Sequence, residues 1–225
     1  MVEVQSTFYE PPSVALATKW RADAPVAFQF CVKAWQLITH RSSSPTYRRL
    51  KTKLGGNERD MVGSFQPTEQ VRLAWERTAD IARVLQAQVI LFQCPASFEP
   101  TPENLRHLRG FFAEIEREDF RLAWEPRGHW PRDLVQEICA EYDLLHCVDP
   151  FKTQSALGRS IYWRLHGLTG YSYRYSDEEL DQLQAMLTEA GQESRAPSYV
   201  FFNNIWMRDD ALRFQERVSD RILIQ

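Results

Sequence analysis

The sequence predicts an α/β fold, a TIM-barrel-like (β/α) barrel, from three observations. Seven short apolar runs of β type are spread along the 225 residues, and helical patterns separate most of them. Strands that alternate with helices in this way pair in parallel through right-handed crossovers. Each run also carries a charged or amide residue at or near its C-terminal end, and a barrel of this class builds its binding pocket at the C-terminal ends of its strands.

The predicted strands are rich in β-branched, aromatic and aliphatic residues. In chain order they are Val2–Phe8, Val26–Ala34, Val89–Gln93, Arg121–Glu125, Leu144–Asp149, Tyr162–His166 and Tyr199–Asn203. A chain of this length with an ordinary globular composition is expected to form one domain. We therefore expect a single (β/α)-barrel domain over residues 1–225.

Three helices have recognisable starts. Pro67-Thr68 opens a segment with apolar residues at helical spacing from Val71 to Leu85. Thr101-Pro102-Glu103 combines a cap, a proline at the first helical position and an acid in the first turn. Ser176 and Glu179 form a capping box before the apolar positions of a third helix.

Two stretches interrupt this alternation. Residues 41–66 form a polar loop, rich in Ser, Arg, Lys and Gly, that is too long for a plain connection in a compact domain. A mobile lid or binding loop and a disordered excursion both agree with its composition. Between Asp149 and Ile161 there is room only for a short helical turn containing Ala156 and Leu157.

Composition excludes several classes of protein. The net charge of −3 and pI near 6.0 argue against a general nucleic-acid binder, because phosphate neutralisation needs a basic surface. No apolar stretch approaches the length of a membrane span, and the N-terminus lacks a signal-like segment. The four cysteines show no CxxC spacing and agree with reduced core thiols. We expect a soluble, cytoplasmic protein with no membrane partner.

Polar residues near the strand ends are the candidate site residues, because alternation places them on shared faces and a closed barrel would gather them at its mouth. They are Glu3 with Gln5, Lys33, Gln93, Glu125 with Arg127, Asp149, Arg164 with His166, and Asn203 or Asn204. Burying so many charges is expensive, so they either pair with one another or await a ligand.

The catalytic candidates are Glu125, Asp149 and His166. Either carboxylate would serve as acid or base, and His166 would transfer a proton because imidazole titrates near neutrality. Arg164 beside it would lower the imidazole pKa. The structural alternatives are an internal salt bridge between Glu125 and Arg127 and a histidine that is satisfied by hydrogen bonds.

The substrate-binding candidates suit a small anionic ligand, phosphorylated or carboxylated. Lys33, Arg127 and Arg164 would bind the anion, and Lys33 could alternatively be a nucleophile or pair with Glu3 or Asp149. His40 precedes a serine-rich turn whose hydroxyls and amides could hold a phosphate. The remaining polar candidates for this pocket are Glu3, Gln93 and Asn203.

Two alternatives stay open beside an enzyme of this kind. A non-catalytic module for a nucleotide, nucleic acid or protein would use the basic segment Arg41–Lys53. A metal-dependent hydrolase or isomerase would use Glu125, Asp149 and His166 as ligands for zinc, manganese or iron. No short-range spacing such as HExxH supports that metal site, so none is assigned. The sequence identifies no cofactor and no oligomeric state.

Several short motifs resemble one known family in the same order along nearly the whole chain. They are Ser6-Thr7-Phe8-Tyr9, Thr39-His40, Phe92-Gln93-Cys94-Pro95, Glu125-Pro126-Arg127, Arg164-Leu165-His166-Gly167 and Phe202-Asn203-Asn204. Together they resemble the domain-of-unknown-function 72 (YecE-like) family, and Trp124–Gly128 and Ser42–Pro45 are similar to its archaeal branch. The resemblance implies a TIM-barrel-like fold with a polar pocket at the strand ends, and it implies no particular activity.

The chain departs from this family at its start. Family members open with a glycine-rich strand and a helix, whereas Met1 runs directly into what resembles the second strand. We therefore expect a barrel that lacks its first β-strand and helix, with exposed edge strands that invite aggregation or a partner strand. A misplaced start codon or a truncation is the expected cause, rather than a natural seven-stranded form.

Overall fold

The computed structural model describes residues 1–156, 161–192 and 197–222 and divides into two compact units, Met1–Leu144 and Leu145–Gln225. In both units parallel strands alternate with helices. This alternation confirms the predicted α/β, TIM-barrel-like fold class. No helix in the described part of the chain has both the length and the apolar composition needed to cross a bilayer.

The first unit contains four parallel strands in chain order. They are β1 (Val2–Val4), β2 (Phe30–Lys33), β3 (Val89–Gln93) and β4 (Arg121–Glu125). The helices that accompany them are α1 (Ser6–Tyr9), α2 (Val14–Asp23), α3 (Gln36–Thr39), α4 (Glu69–Leu85), α5 (Pro102–Glu114) and α6 (Arg132–Glu141). The register sets Gln93 directly beside Glu125, so the last residues of β3 and β4 are neighbours.

Within its described residues, the second unit contains three parallel strands and two long helices. The strands are β5 (Leu144–Val148), β6 (Tyr162–Leu165) and β7 (Tyr199–Phe202), and the helices are α7 (Asp177–Gln192) and α8 (Met207–Ile222). A core of aliphatic and aromatic side chains fills this unit, including Trp163, Leu165, Leu180, Phe202 and Phe214. It fixes the ends of β6 and β7, which carry the predicted polar residues.

Aromatic packing dominates the core of the first unit. Phe65, Trp75, Phe92, Phe111 and Phe112 form a contiguous cluster with ring centroids 5.2–6.2 Å apart. Offset and edge-to-face pairs of this kind add specific geometry to the burial of apolar area. The cluster packs α4 and α5 against β3.

The predicted strand bounds are accurate except at the two N-terminal strands. The bounds of β3 and β4 are confirmed, and β5, β6 and β7 each end one residue earlier than predicted. The prediction that the first strand reaches Phe8 is wrong, because α1 begins at Ser6 and Thr7 donates its hydroxyl to the carbonyls of Val4 and Lys33. The prediction that the second strand begins at Val26 is also wrong, because that side chain is almost fully exposed.

The three predicted helix starts are confirmed. The Thr68 hydroxyl accepts a hydrogen bond from Val71 N–H, and Thr101 accepts one from Asn104 N–H. Ser176 and Glu179 exchange the two reciprocal bonds of a capping box. These bonds satisfy amide groups that have no partner inside their helices.

The long polar loop contains two 3-10 helices, Pro45–Arg49 and Asn57–Met61. It ends in the consecutive residues Gly63, Ser64 and Phe65, with φ of 82°, 54° and 52°, all in the left-handed region. A short helical turn containing Ala156 and Leu157 was predicted, and Leu157 lies outside the described residues.

Candidate functional site

Lys33 lies at the last position of β2, and α1 covers it. Its side chain is almost completely buried, and Nζ sits 3.9 Å from the centroid of the Phe8 ring. Thr7 fixes the backbone there, since its hydroxyl donates to the Lys33 carbonyl at 2.7 Å and accepts from the Lys33 amide at 3.1 Å. A desolvated ammonium over an aromatic face is stabilised by the ring quadrupole. The strand end therefore presents a positioned, buried cation.

His40 follows α3 and packs edge-on against the same Phe8 ring, with centroids 4.8 Å apart. Burial, with Lys33 and Arg127 nearby, lowers the pKa of His40 to about 3. The imidazole is therefore neutral at physiological pH. Its Nδ1 lies 2.8 Å from the hydroxyl of Thr39, which is the only hydrogen-bond partner of the ring among the described residues.

The tautomer of His40 follows from the buried hydroxyl. If Thr39 donates its O–H to Nδ1, the hydroxyl proton is satisfied and the ring proton resides on Nε2. The opposite arrangement would leave a buried hydroxyl proton without an acceptor, which costs more than an unused lone pair. We therefore assign an Nε2–H that is available as a hydrogen-bond donor.

Glu125 and Gln93 lie at the ends of β4 and β3. Both are almost completely buried, and Arg127 donates from Nε to Glu125 Oε1 at 2.7 Å. The predicted contact between Glu125 and Arg127 is present, with the arginine side chain 39% exposed. In β1, the buried Glu3 accepts a hydrogen bond from the Gln5 side chain. The Arg127 side chain thus contacts Glu125 and is partly exposed to solvent.

The low pKa of His40 has a measurable consequence for stability. In the unfolded chain this imidazole takes up a proton near pH 6.5, whereas in the folded protein it does so only near pH 3. Unfolding therefore binds a proton below pH 6.5, and stability falls with falling pH in that window. Between pH 7 and pH 5 we expect wild type to lose about 2 kcal/mol of unfolding free energy relative to His40→Gln.

Denaturant titrations of both proteins at the two pH values test this expectation. His129→Gln, a change at a fully exposed side chain, is the matched control and should keep the pH dependence of wild type. Parallel pH profiles for wild type and His40→Gln would contradict a buried neutral imidazole at this position.

The second unit brings Asp149 and His166 together. Asp149 Oδ2 accepts the His166 backbone amide at 3.2 Å and lies 3.9 Å from His166 Nδ1. Its Oδ1 accepts the amide of Phe151, and Lys152 Nζ lies 3.8 Å from Oδ2. Asp149 thus binds two backbone amides and holds the loop after β6. The Asp149 carboxylate therefore lies beside His166, whose side chain is 25% exposed.

The other candidates of the second unit differ in burial. Arg164 in β6 is completely buried, and Asn203 after β7 is half-buried. Asn204 is completely buried and donates its amide to Tyr173 O and to Asp210, each at 2.8 Å. Of the two asparagines, Asn204 is therefore the one engaged in holding the loops.

The basic segment Arg41–Lys53 is anchored to α1 and to the residue that follows it. The Arg49 guanidinium lies 3.6 Å from the centroid of the Tyr9 ring, and the Glu10 carboxylate accepts the amides of Lys51 and Thr52. Tyr47 donates its hydroxyl to the His40 carbonyl at 2.8 Å. Arg48, Lys51 and Lys53 remain exposed, so their charges are available to a partner.

The metal-dependent alternative gains no support from the described residues. Within them, no group of three or more His, Cys, Asp or Glu side chains has an arrangement that could hold a metal ion. All four cysteines are buried. Burial raises the pKa of the Cys94 and Cys139 thiols, so neither thiol is a reactive thiolate at neutral pH.

Sequence reasoning missed the residues that orient the cations and the imidazole. Phe8, Thr7 and Thr39 contact Lys33 or His40, and none of them is among the predicted site residues. The strand predicted through Phe8 concealed the helical turn that brings this ring over Lys33. The sequence offered one signal for these residues. Ser6-Thr7-Phe8-Tyr9 and Thr39-His40 both belong to the set of motifs that resembles the domain-of-unknown-function 72 family.

Comparisons with known proteins agree on one family. The model of "Protein of unknown function DUF72" matches residues 1–223. The chain is similar to a DUF72 family protein from Enterococcus faecalis, with TM-score 0.70 and 18% identity over 96% of this chain and 83% of that one. It is also similar to a DUF72 family protein from Thermotoga maritima, with TM-score 0.69 and 22% identity over 94% and 82%.

These two solved structures support the fold alone, given their low sequence identity. No curated protein matches the sequence. The relation to an archaeal branch and the absence of a first strand stay predictions.

Proposed function

The chain belongs to the DUF72 family, and from the residues at its strand ends we propose that it is an enzyme acting on a small anionic substrate, phosphorylated or carboxylated. The observation that carries this proposal is the group of Lys33, His40 and Arg127 in the first unit. Two cations lie close enough to the imidazole to lower its pKa, together with burial. A region of positive potential with low exposure to water favours an anion.

The binding chemistry follows from the three donors. Lys33 offers an ammonium, Arg127 offers the part of its guanidinium that faces solvent, and His40 offers an Nε2–H. A neutral imidazole donates a hydrogen bond without transferring its proton, so it stabilises charge that develops on a substrate oxygen. Fixed donors of this kind need little reorganisation when charge develops.

Glu125 is the proposed acid or base of this group. Its carboxylate is almost completely buried, it lies beside Gln93, and it accepts the Arg127 hydrogen bond through one oxygen. This carboxylate would exchange a proton with the substrate. In the second unit, His166 remains our candidate for proton transfer, with Asp149 orienting its backbone, and Arg164 and Asn203 remain candidates for substrate binding.

Lys33→Met should abolish stabilisation of the protein by small anions. We expect a saturating phosphorylated or carboxylated ligand to raise the melting temperature of wild type by roughly 5 °C, since occupancy at 100 times Kd contributes about 2.7 kcal/mol. Methionine keeps the apolar stem over Phe8 and removes the charge. A thermal-shift series with inorganic phosphate and with small phosphorylated and carboxylated compounds, with and without divalent metals, measures this effect.

Lys19→Met is the matched control, because Lys19 is exposed on α2. Its ligand-induced shift should equal that of wild type. Glu125→Gln separates an enzyme from a binding module: ligand stabilisation should remain while conversion of the bound compound is lost. The proposal fails if none of these anions stabilises wild type, or if Lys33→Met responds as wild type does.

A further inference from the structure

The basic segment Arg41–Lys53 carries an unbalanced positive charge. Its cationic residues are Arg41, Arg48, Arg49, Lys51 and Lys53, and it contains no acidic residue. All five are exposed, and none of them forms an ion pair within the described residues. Because the whole chain has a net charge of −3, this concentration of positive charge is a local feature of the segment.

Arginines in other parts of the described chain are engaged differently. Five of them form ion pairs with carboxylates, namely Arg72, Arg83, Arg109, Arg213 and Arg217. Neighbouring cations without such partners repel one another, and this repulsion works against the compact state. An anion bound along the segment would remove the repulsion. The charge pattern of the segment therefore favours an anionic ligand.

Contacts of backbone groups hold the segment in place and leave its lysine ammonium groups unpaired. The Glu10 carboxylate accepts the amides of Lys51 and Thr52 at 3.2 Å each and the Thr52 hydroxyl at 2.7 Å. Tyr47 donates its hydroxyl to the His40 carbonyl at 2.8 Å. A segment that is already fixed loses little conformational freedom when a ligand binds.

The segment lies beside the cation at the end of β2. The Arg49 guanidinium carbon is 3.6 Å from the centroid of the Tyr9 ring. The Tyr9 and Phe8 centroids are 5.0 Å apart, and Lys33 Nζ is 3.9 Å from the Phe8 centroid. Arg49 therefore lies no farther from Lys33 Nζ than these three steps together. One extended anionic ligand can contact both groups.

We propose that the substrate of the strand-end site in the first unit carries a chain of phosphate groups. The phosphate at one end is bound by Lys33, His40 and Arg127, and the phosphates that follow are bound by the basic segment. This inference rests on the proposed function and names its substrate class. Five separate cations are more than a single phosphate contacts, so they suit a chain. A single-stranded nucleic acid with a phosphorylated end and a linear polyphosphate both have this chemistry.

Three ligands test the proposal: thymidine 5′-monophosphate, 5′-phosphorylated tetrathymidylate and linear inorganic tetraphosphate. Isothermal titration calorimetry of the full chain at several salt concentrations gives their dissociation constants. We expect at least one of the two chain ligands to bind about tenfold more tightly than the monophosphate, because exposed charge contacts each contribute modestly. The preference between the two chain ligands identifies the source of the phosphate chain.

The triple variant Arg48→Gln, Lys51→Gln, Lys53→Gln should bring the tighter chain ligand to the level of the monophosphate. Binding of the monophosphate should change by less than about twofold, because salt screens charges that it does not contact. If the tetranucleotide is the tighter ligand, its salt dependence should fall by about 2 in the slope of log K against log salt, since each lost phosphate contact removes about 0.7. Glutamine at position 51 keeps the anchor to Glu10, which uses the backbone amide.

The control variant Lys19→Gln, Arg106→Gln, Arg208→Gln removes the same charge at other exposed positions. None of these three side chains forms an ion pair within the described residues. All three ligands should bind this variant as they bind wild type. Equal weakening of the chain ligand in both triple variants would show that total charge, and not the basic segment, determines its affinity, and this would overturn the proposal.

Lys33→Met distinguishes failure of this inference from failure of the proposed function. It should weaken the monophosphate and the chain ligands together. If all three ligands bind wild type equally and all depend on Lys33, the anion site stands and the inference is wrong. If the chain ligands bind through the segment but bind Lys33→Met as they bind wild type, the segment does not serve that site and both proposals fail.

Two further outcomes would overturn the inference. One is that none of the three ligands binds wild type. The other is that phosphatidylserine vesicles bind wild type but not the triple variant at Arg48, Lys51 and Lys53, while the chain ligands do not bind. That result would assign the segment to an anionic membrane surface.

Discussion

Gly63→Ala is expected to lower the unfolding free energy by about 2–5 kcal/mol. Gly63 has φ of +82°, where an L-residue pays about 1–2 kcal/mol for the contact of its Cβ with the backbone. An added Cβ would also lie 2.3 Å from the carbonyl carbon and oxygen of His40 and 2.4 Å from the amide of Arg41. These are backbone atoms, so the chain must shift, and overpacking of this kind typically costs a further ~1–3 kcal/mol.

The same substitution should impair the candidate site, because the left-handed turn holds α3. The amides of Gly63, Ser64 and Phe65 donate to the carbonyls of Leu37, Thr39 and Ile38 at 2.7, 3.2 and 2.9 Å. Those carbonyls end the short helix that presents His40. A displaced turn therefore moves the imidazole. Denaturant titration measures the stability loss, and thermal shift with a phosphorylated or carboxylated ligand should show reduced stabilisation.

Gly56→Ala separates strain at the turn from a general effect of glycine replacement in this loop. Gly56 has a right-handed backbone, and a Cβ there meets nothing within 4 Å. Stability and ligand response should stay near those of wild type. Comparable losses in the two variants would show that the turn does not carry the strain assigned to it.

The fold was predictable where the local pattern and the tertiary structure agree. β3 and β4 are buried runs flanked by clear breaks, and their bounds were predicted without error. At α1 the apolar run continues through Phe8, so alternation favours a strand. The helical turn forms there because Thr7 bonds to Lys33, a residue 26 positions away. A contact of that range leaves no local signal.

The candidate site was predictable to a similar degree. Glu125 and Arg127, two residues apart, were expected to share a face, and they do form a hydrogen bond. The role of Asp149 as a holder of backbone amides was not predicted, because alternation describes side-chain faces and not the path of the following loop. The left-handed turn at Ser64 and Phe65 was also missed, since only Gly63 before them signals a positive φ.

Asp210→Ala is expected to destabilise the protein by about 3–5 kcal/mol, the range found when one partner of a buried charged network is removed. The Asp210 carboxylate is completely buried on α8. It accepts hydrogen bonds from Asn204 Nδ2 at 2.8 Å, Arg213 Nη1 at 3.1 Å and the Tyr175 amide at 3.5 Å. Alanine leaves the buried Asn204 amide and the Tyr175 N–H without this acceptor and removes the compensating charge beside Arg213.

Asp177→Ala tests whether the cost arises from burial or from the ion pair with Arg213. Asp177 accepts a hydrogen bond from the same arginine at 2.6 Å, but its side chain is 66% exposed, so water replaces the lost contact. We expect a much smaller loss of unfolding free energy than for Asp210→Ala, measured by denaturant titration at moderate salt. Similar losses would mean that the arginine pair stabilises this unit. A large loss confined to Asp210→Ala would show that the carboxylate acts through the buried amides after β7, where Asn204 also binds Tyr173.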